Sequence, residues 1–140
     1  MKRIVVGIDG SEQGWSALKR AAELARATGA SLQIAHVSLP MSPVVADAYL
    51  PTAGWVEAQE AYAQVLLREA VARVRDAGLE FEPVSKLGSP AETLADLARA
   101  EEVTMVVVGH RGRNLAARLL VGSVADRLVQ ISPKPVLVVR

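Results

Sequence analysis

The sequence predicts a single-domain, doubly wound five-stranded parallel sheet with helices on both faces, spanning residues 1–140. Three observations carry this. Short β-branched runs alternate with longer amphipathic stretches, the rhythm of βα units. The run Val103 to Val108 is almost continuously apolar, as in a strand covered on both faces. Pro83 interrupts the third such run; lacking an N–H, it belongs at a sheet edge. Right-handed crossovers and that edge give the strand order 3-2-1-4-5.

The elements follow in chain order. Ile4 to Ile8 reads as the first strand, and Asp9-Gly10-Ser11 as the turn after it. A helix runs to about Ala27 with Leu18, Ala22 and Ala25 on one face, and Gly29 stops it. Leu32 to Val37 is the second strand. A long connection, Leu39 to Ala53, carries Pro40, Pro43 and Pro51. The helix from about Trp55 to Ala77 shows a stripe of Tyr62, Leu66, Leu67, Ala70, Val71 and Val74, read as its buried face. Glu80 to Ser85 is the third strand. Ser89 then reads as an N-cap, Pro90 as the first helical residue and Glu92 as the capping-box acid, with Leu94, Leu97 and Ala98 facing inward. After Val103 to Val108 come a glycine-bearing loop, a helix ending near Ile131 and a last strand, Val136 to Val139. No internal repeat or domain boundary is visible.

Composition narrows the function classes. The chain has 140 residues, 51% hydrophobic and 22% charged, and a formal net charge of +1, so no global field attracts nucleic acid or an anionic membrane. The absence of cysteine removes disulfides, thiolate metal sites and thiol nucleophiles. The apolar run after Met1-Lys2-Arg3 is too short for a signal-peptide core, and no run is long enough to span a membrane. A soluble, cytoplasmic protein without membrane insertion is expected.

An open α/β sheet binds ligands where its strand order reverses, here beyond the carboxyl ends of strands 1 and 4. The segments leaving those ends are Asp9-Gly10-Ser11 and Gly109-His110-Arg111-Gly112. The sequence has no GxxxxGK[ST], no GxGxxG and no GxSxG, which argues against a Walker-type NTPase, a dinucleotide fold and an α/β-hydrolase. No strand or elbow context supports a Ser-His-Asp triad, and no catalytic residue is assigned. What remains is Gly109-x2-Gly112-x9-Gly122-Ser123. Glycines permit close backbone approach and N–H groups turned into a nest, a helix opening at Ser123 favours an anion, and Arg111, Arg113 and Arg118 add positive charge. Each feature has a plainer reading: Asp9 as turn former or N-cap, the glycines as punctuation, the arginines as a solvated face. His36 reads as a structural histidine, His110 as a residue of the site loop. Trp15 and Trp55 read as surface or interface packing, Trp55 being the better partner contact.

Together, Ile4-Val5-Val6-Gly7-Ile8-Asp9-Gly10-Ser11, Gly88-Ser89-Pro90-Ala91-Glu92, Val106 to Arg113 and Pro135-Val136-Leu137-Val138-Val139 make the chain resemble the universal stress protein family over nearly its whole length. The glycine spacing resembles that of the family's ATP-binding branch. The resemblance implies ATP as ligand, with Mg²⁺ bridged by Asp9 through the nucleotide. It implies that Asp9 contacts the ribose or that metal, that Ile8 and Val37 flank adenine, and that Gly109, Gly112, Gly122, Ser123 and Val124 hold ribose and phosphates. Val108, Arg111 and Arg113 complete the implied site.

The last strand, Val136-Leu137-Val138-Val139, is an uncharged edge in the order 3-2-1-4-5. Such edges invite pairing. A homodimer joined through these strands is expected, and the resemblance implies the same. The functional expectation is a dimeric stress-response or regulatory module that binds ATP, hydrolyses it slowly or not at all, and is read by a regulated protein. The alternatives are an interaction module that uses no nucleotide, and a weak ATPase or adenylyl-transfer enzyme, for which the length leaves no added substrate domain.

Overall fold

The computed structural model describes residues 1–40, 52–111 and 121–140. Five parallel strands form one sheet in the order β3-β2-β1-β4-β5. They are β1 (Arg3–Gly7), β2 (Ser31–Ser38), β3 (Phe81–Leu87), β4 (Val103–Gly109) and β5 (Val136–Val139). The described helices are α1 (Glu12–Thr28), α2 (Thr52–Val74), α3 (Pro90–Leu97) and α4 (Ser123–Ile131).

The period-2 geometry of a strand divides the apolar residues of β1, and Ile8 just after it, between two cores. Ile4, Val6 and Ile8 pack with Leu18, Leu32, Ile34, Leu66 and Leu67 on the α1 and α2 side. Val5 packs with Ala35, Leu94, Val106, Val108 and Leu128 on the α3 and α4 side. β1 can be apolar on both faces because it lies in the middle of the sheet, its Val5 opposite Gln33 of β2 and Val106 of β4. β3 is an edge, with Pro83 opposite Ile34. It begins one residue later and ends two residues later than Glu80 to Ser85.

α1 lies on the sheet through Ala17, Leu18, Ala21, Ala22 and Ala25, small residues that let the helix approach closely. Ser11 caps it, its Oγ accepting from the Gly14 N–H at 3.0 Å. Gly29 ends it in the left-handed region at φ 70°, its N–H donating to the Ala25 carbonyl. α2 starts and stops about one turn earlier than its sequence pattern indicates. Its buried residues are Ala63, Leu66, Leu67, Ala70 and Val74. Val71 is half-buried and Tyr62 exposed, so the assignment of Tyr62 to the core is corrected.

Ser89 precedes α3 and Pro90 opens it, but the Ser89 side chain makes no cap hydrogen bond. Glu92 reaches across to Arg127 of α4 at 3.2 Å rather than back to the cap, so the capping box does not form. No described helix is long and apolar enough to cross a membrane.

Candidate functional site: a cleft beyond β1 and β4

β1 and β4 are neighbours, so the turns leaving them meet above one end of the sheet. A cavity of about 740 Å³ opens there, a size typical of small-molecule sites. Of the residues named from the sequence, Ile8, Asp9, Val37, Val108, Gly109, Arg111, Gly122, Ser123 and Val124 all line it. Gly112, Arg113 and Arg118 lie outside the described residues.

The β1 side is a turn built on its own side chains. Asp9 Oδ1 accepts from the backbone N–H of Ser11 at 3.0 Å and from the Ser11 hydroxyl. Ser11 Oγ in turn caps α1. Gly14 must be small here, because a Cβ on it would lie 2.8 Å from Asp9 Oδ1. Asp9 is therefore a turn-forming residue and a wall of the cavity at once. The two readings of it are compatible.

β4 hands the chain to the other wall. The His110 N–H donates to the Val139 carbonyl at 2.7 Å, and the Gly122 N–H donates to the His110 carbonyl at 2.5 Å. These bonds clamp residues 110 and 122 together beside β5. Gly122 is the N-cap of α4 and has no side chain to cap it. The first intrahelical acceptor bond runs from the Asp126 N–H to Gly122, at 2.9 Å. The amides of Ser123, Val124 and Ala125 thus precede the helix's own ladder, and all three residues line the cavity. Arg111 adds charge to this end. Its Nε is buried without a hydrogen-bond partner among the described residues, and so is Nδ1 of His110. A buried, unsatisfied donor on a cation costs at least about 1–3 kcal/mol, which an anionic acceptor in the cavity would recover.

Gly109 has a structural duty as well. A Cβ there would stand 2.8 Å from the backbone carbon and oxygen of Gln13, so the glycine lets β4 pass the first turn of α1.

The far end of the cavity belongs to β2 and α2. His36 is buried, and its Nδ1 lies 3.0 Å from the Ile8 carbonyl. A carbonyl only accepts, so Nδ1 carries the proton. The structural reading of His36 holds, although it also borders the cavity. Trp55, Gln59 and Tyr62 of α2 line the cavity too, and sequence reasoning assigned none of them to the site. The signal was present: positions 55, 58, 59 and 62 repeat as i, i+3, i+4 and i+7, one helical face. Asp9 and Arg111 are the acid and the formal cation among the described lining residues, just beyond the carboxyl ends of β1 and β4. Among the described residues, no group of three or more His, Cys, Asp or Glu side chains could enclose a metal ion.

A parallel sheet of order 3-2-1-4-5 with a glycine-lined, ligand-sized cleft at its switch point defines a small doubly wound α/β protein. The model of the universal stress protein family matches residues 1–140, and the chain belongs to that family. It is 30% identical to universal stress protein YxiE of Bacillus subtilis, covering 99% of this chain and 98% of that one. It superposes on a universal stress protein solved in complex with cAMP at TM-score 0.75 and 32% identity, covering 99% of this chain and 96% of the other. A universal stress protein from Archaeoglobus fulgidus solved in complex with dAMP matches at TM-score 0.71 and 25% identity, covering 100% and 98%.

Proposed function

We propose that this chain binds an adenine nucleotide, ATP in the first place, across the carboxyl ends of β1 and β4. The observation that carries the reading is the anion-ready end of the cavity. Glycine-capped α4 offers the amides of Ser123, Val124 and Ala125, and the buried, unsatisfied Nε of Arg111 lines the same cavity. Helix N-termini and guanidinium groups both favour phosphate oxygens. The relatives with cAMP and dAMP support adenine as the base.

The remaining roles follow the cavity for the described residues, and the glycine motif for Gly112 and Arg113, which lie outside them. Ile8 and Val37 are apolar and flank the base; Asp9 accepts from the ribose; Gly109, Gly112, Gly122, Ser123 and Val124 hold ribose and phosphates, with Val108, Arg111 and Arg113 beside them. Mg²⁺ fits only as a partner of the nucleotide. Asp9 is the one carboxylate among the residues described at the cavity, so phosphate oxygens and water supply the other ligands. In this reading the chain holds the nucleotide and hydrolyses it slowly or not at all, since Asp9, the carboxylate among the described lining residues, is engaged in the turn with Ser11. We read the molecule as a cytoplasmic homodimer whose occupancy is sensed by a regulated protein.

Mass spectrometry of small molecules released from freshly purified protein tests this. An adenine nucleotide at a substantial fraction of one per chain is expected. Protein that neither carries a nucleotide nor binds added ATP contradicts the reading.

A further inference from the structure

The cavity has a second wall that the glycine motif does not describe. Toward its carboxyl-terminal end α2 buries Ala63, Leu66, Leu67, Ala70 and Val74. Its first turns instead present Trp55, Ala58, Gln59 and Tyr62 to the cavity. Trp55 is 45% exposed and Tyr62 37% exposed, large aromatic surfaces left at the rim of a cavity. Tyr62 is fixed in place. Its hydroxyl donates to the Asp9 carbonyl at 3.2 Å, and its ring meets His36 edge-on at 5.7 Å between centroids. Gly10, at φ 83°, leaves room for that hydroxyl, since a Cβ there would lie 2.8 Å from it. Gln59 lies between these two aromatic residues in sequence, is half-buried and lines the cavity.

The cavity is therefore polarised. Amides and Arg111 occupy the β4–α4 end, while aromatic and apolar groups with one primary amide occupy the β2–α2 end. A nucleotide placed with its phosphates at the first end puts its base at the second. Aromatic side chains stack on bases, and a glutamine amide offers the paired donor and acceptor that match adenine but not the N7 and O6 acceptors of guanine.

Resting on the nucleotide reading above, we propose that the α2 face is the base-specificity wall of the site. Trp55 stacks on the base, Gln59 reads its edge, and Tyr62 is a positioning residue that ties this wall to the Asp9 turn.

The test compares ATP, GTP and inorganic tripolyphosphate by calorimetry on the full chain and on its Trp55→Ala and Gln59→Ala variants. Both positions are accessible and helical, so the variants keep the fold. Trp55→Ala weakens ATP roughly tenfold or more, within the range of a lost base stack, and changes tripolyphosphate less than about twofold. Gln59→Ala narrows the preference for ATP over GTP. In a Trp15→Phe background, Trp55 emission responds to ATP and not to tripolyphosphate. If the unaltered chain binds ATP but Trp55→Ala binds it equally well, or loses ATP and tripolyphosphate alike, the wall is overturned while the nucleotide reading stands. An unchanged ATP-to-GTP preference in Gln59→Ala overturns the role given to that residue. Failure of the unaltered chain to bind any nucleotide overturns both.

Discussion

Ser11 links stability to the site. Its Oγ caps α1 through Gly14 and its hydroxyl donates to Asp9, so one side chain holds both the helix start and a cavity wall. Ser11→Ala should cost about 1–2 kcal/mol of folding stability, the usual loss for an N-cap, seen as a lower denaturation midpoint at constant slope. An unchanged midpoint would show that the cap carries no net energy. At this scale the sequence was legible where backbone chemistry dictates the residue type. Asp9, Gly109 and Gly122 could be placed because turns and close approaches demand them. Tyr62 could not. It lies four residues before Leu66, and helical spacing alone does not distinguish a ring under the sheet from one at a cavity rim. Gly109 also proved to serve the passage of β4 past Gln13, a tertiary constraint that no local pattern reveals.

Among the elements, α1 depends on smallness. Ala21 is fully buried, in a helix that packs on β1 and β4. Ala21→Leu should overpack this contact and destabilise the fold by about 1–3 kcal/mol, although leucine is an excellent helix former. A thermal melt that rises or stays unchanged would contradict the close approach of α1. The strands were readable because their β-branched runs serve both faces of a parallel sheet, and Pro83 named the edge. Element ends were less readable. α2 stops at Val74, although the apolar pattern extends to Ala77, since a side-chain pattern does not specify where the last intrahelical bond is made. The Ser89–Glu92 signature met a stronger local alternative. Arg127 of α4 lies within reach of Glu92, and the carboxylate turns there instead. That exposed pair should contribute well under about 1 kcal/mol.

For the whole molecule, topology places the site. Strand order 3-2-1-4-5 makes the two turns after β1 and β4 adjacent, which is why residues a hundred positions apart could be assigned to one cleft before any geometry was known. The opposite wall came from α2, whose connection to β2 is long and carries no pattern that fixes the helix's approach. Topology also leaves β5 as an uncharged edge, its Val136, Leu137, Val138 and Val139 all half-buried. Pairing of this edge with a second copy is the association we propose, and sedimentation at micromolar concentration should find a dimer; monomer alone would refute it. The central claim is that the cleft beyond β1 and β4 holds an adenine nucleotide by its phosphates. Calorimetric titration of ATP into the nucleotide-stripped chain, beside a Ser123→Ala variant, tests it most directly. Saturable binding near one ATP per chain, weakened by the loss of the Ser123 hydroxyl without loss of stability, is the predicted result. No heat of binding for ATP or AMP at millimolar concentration, from folded protein, would contradict it.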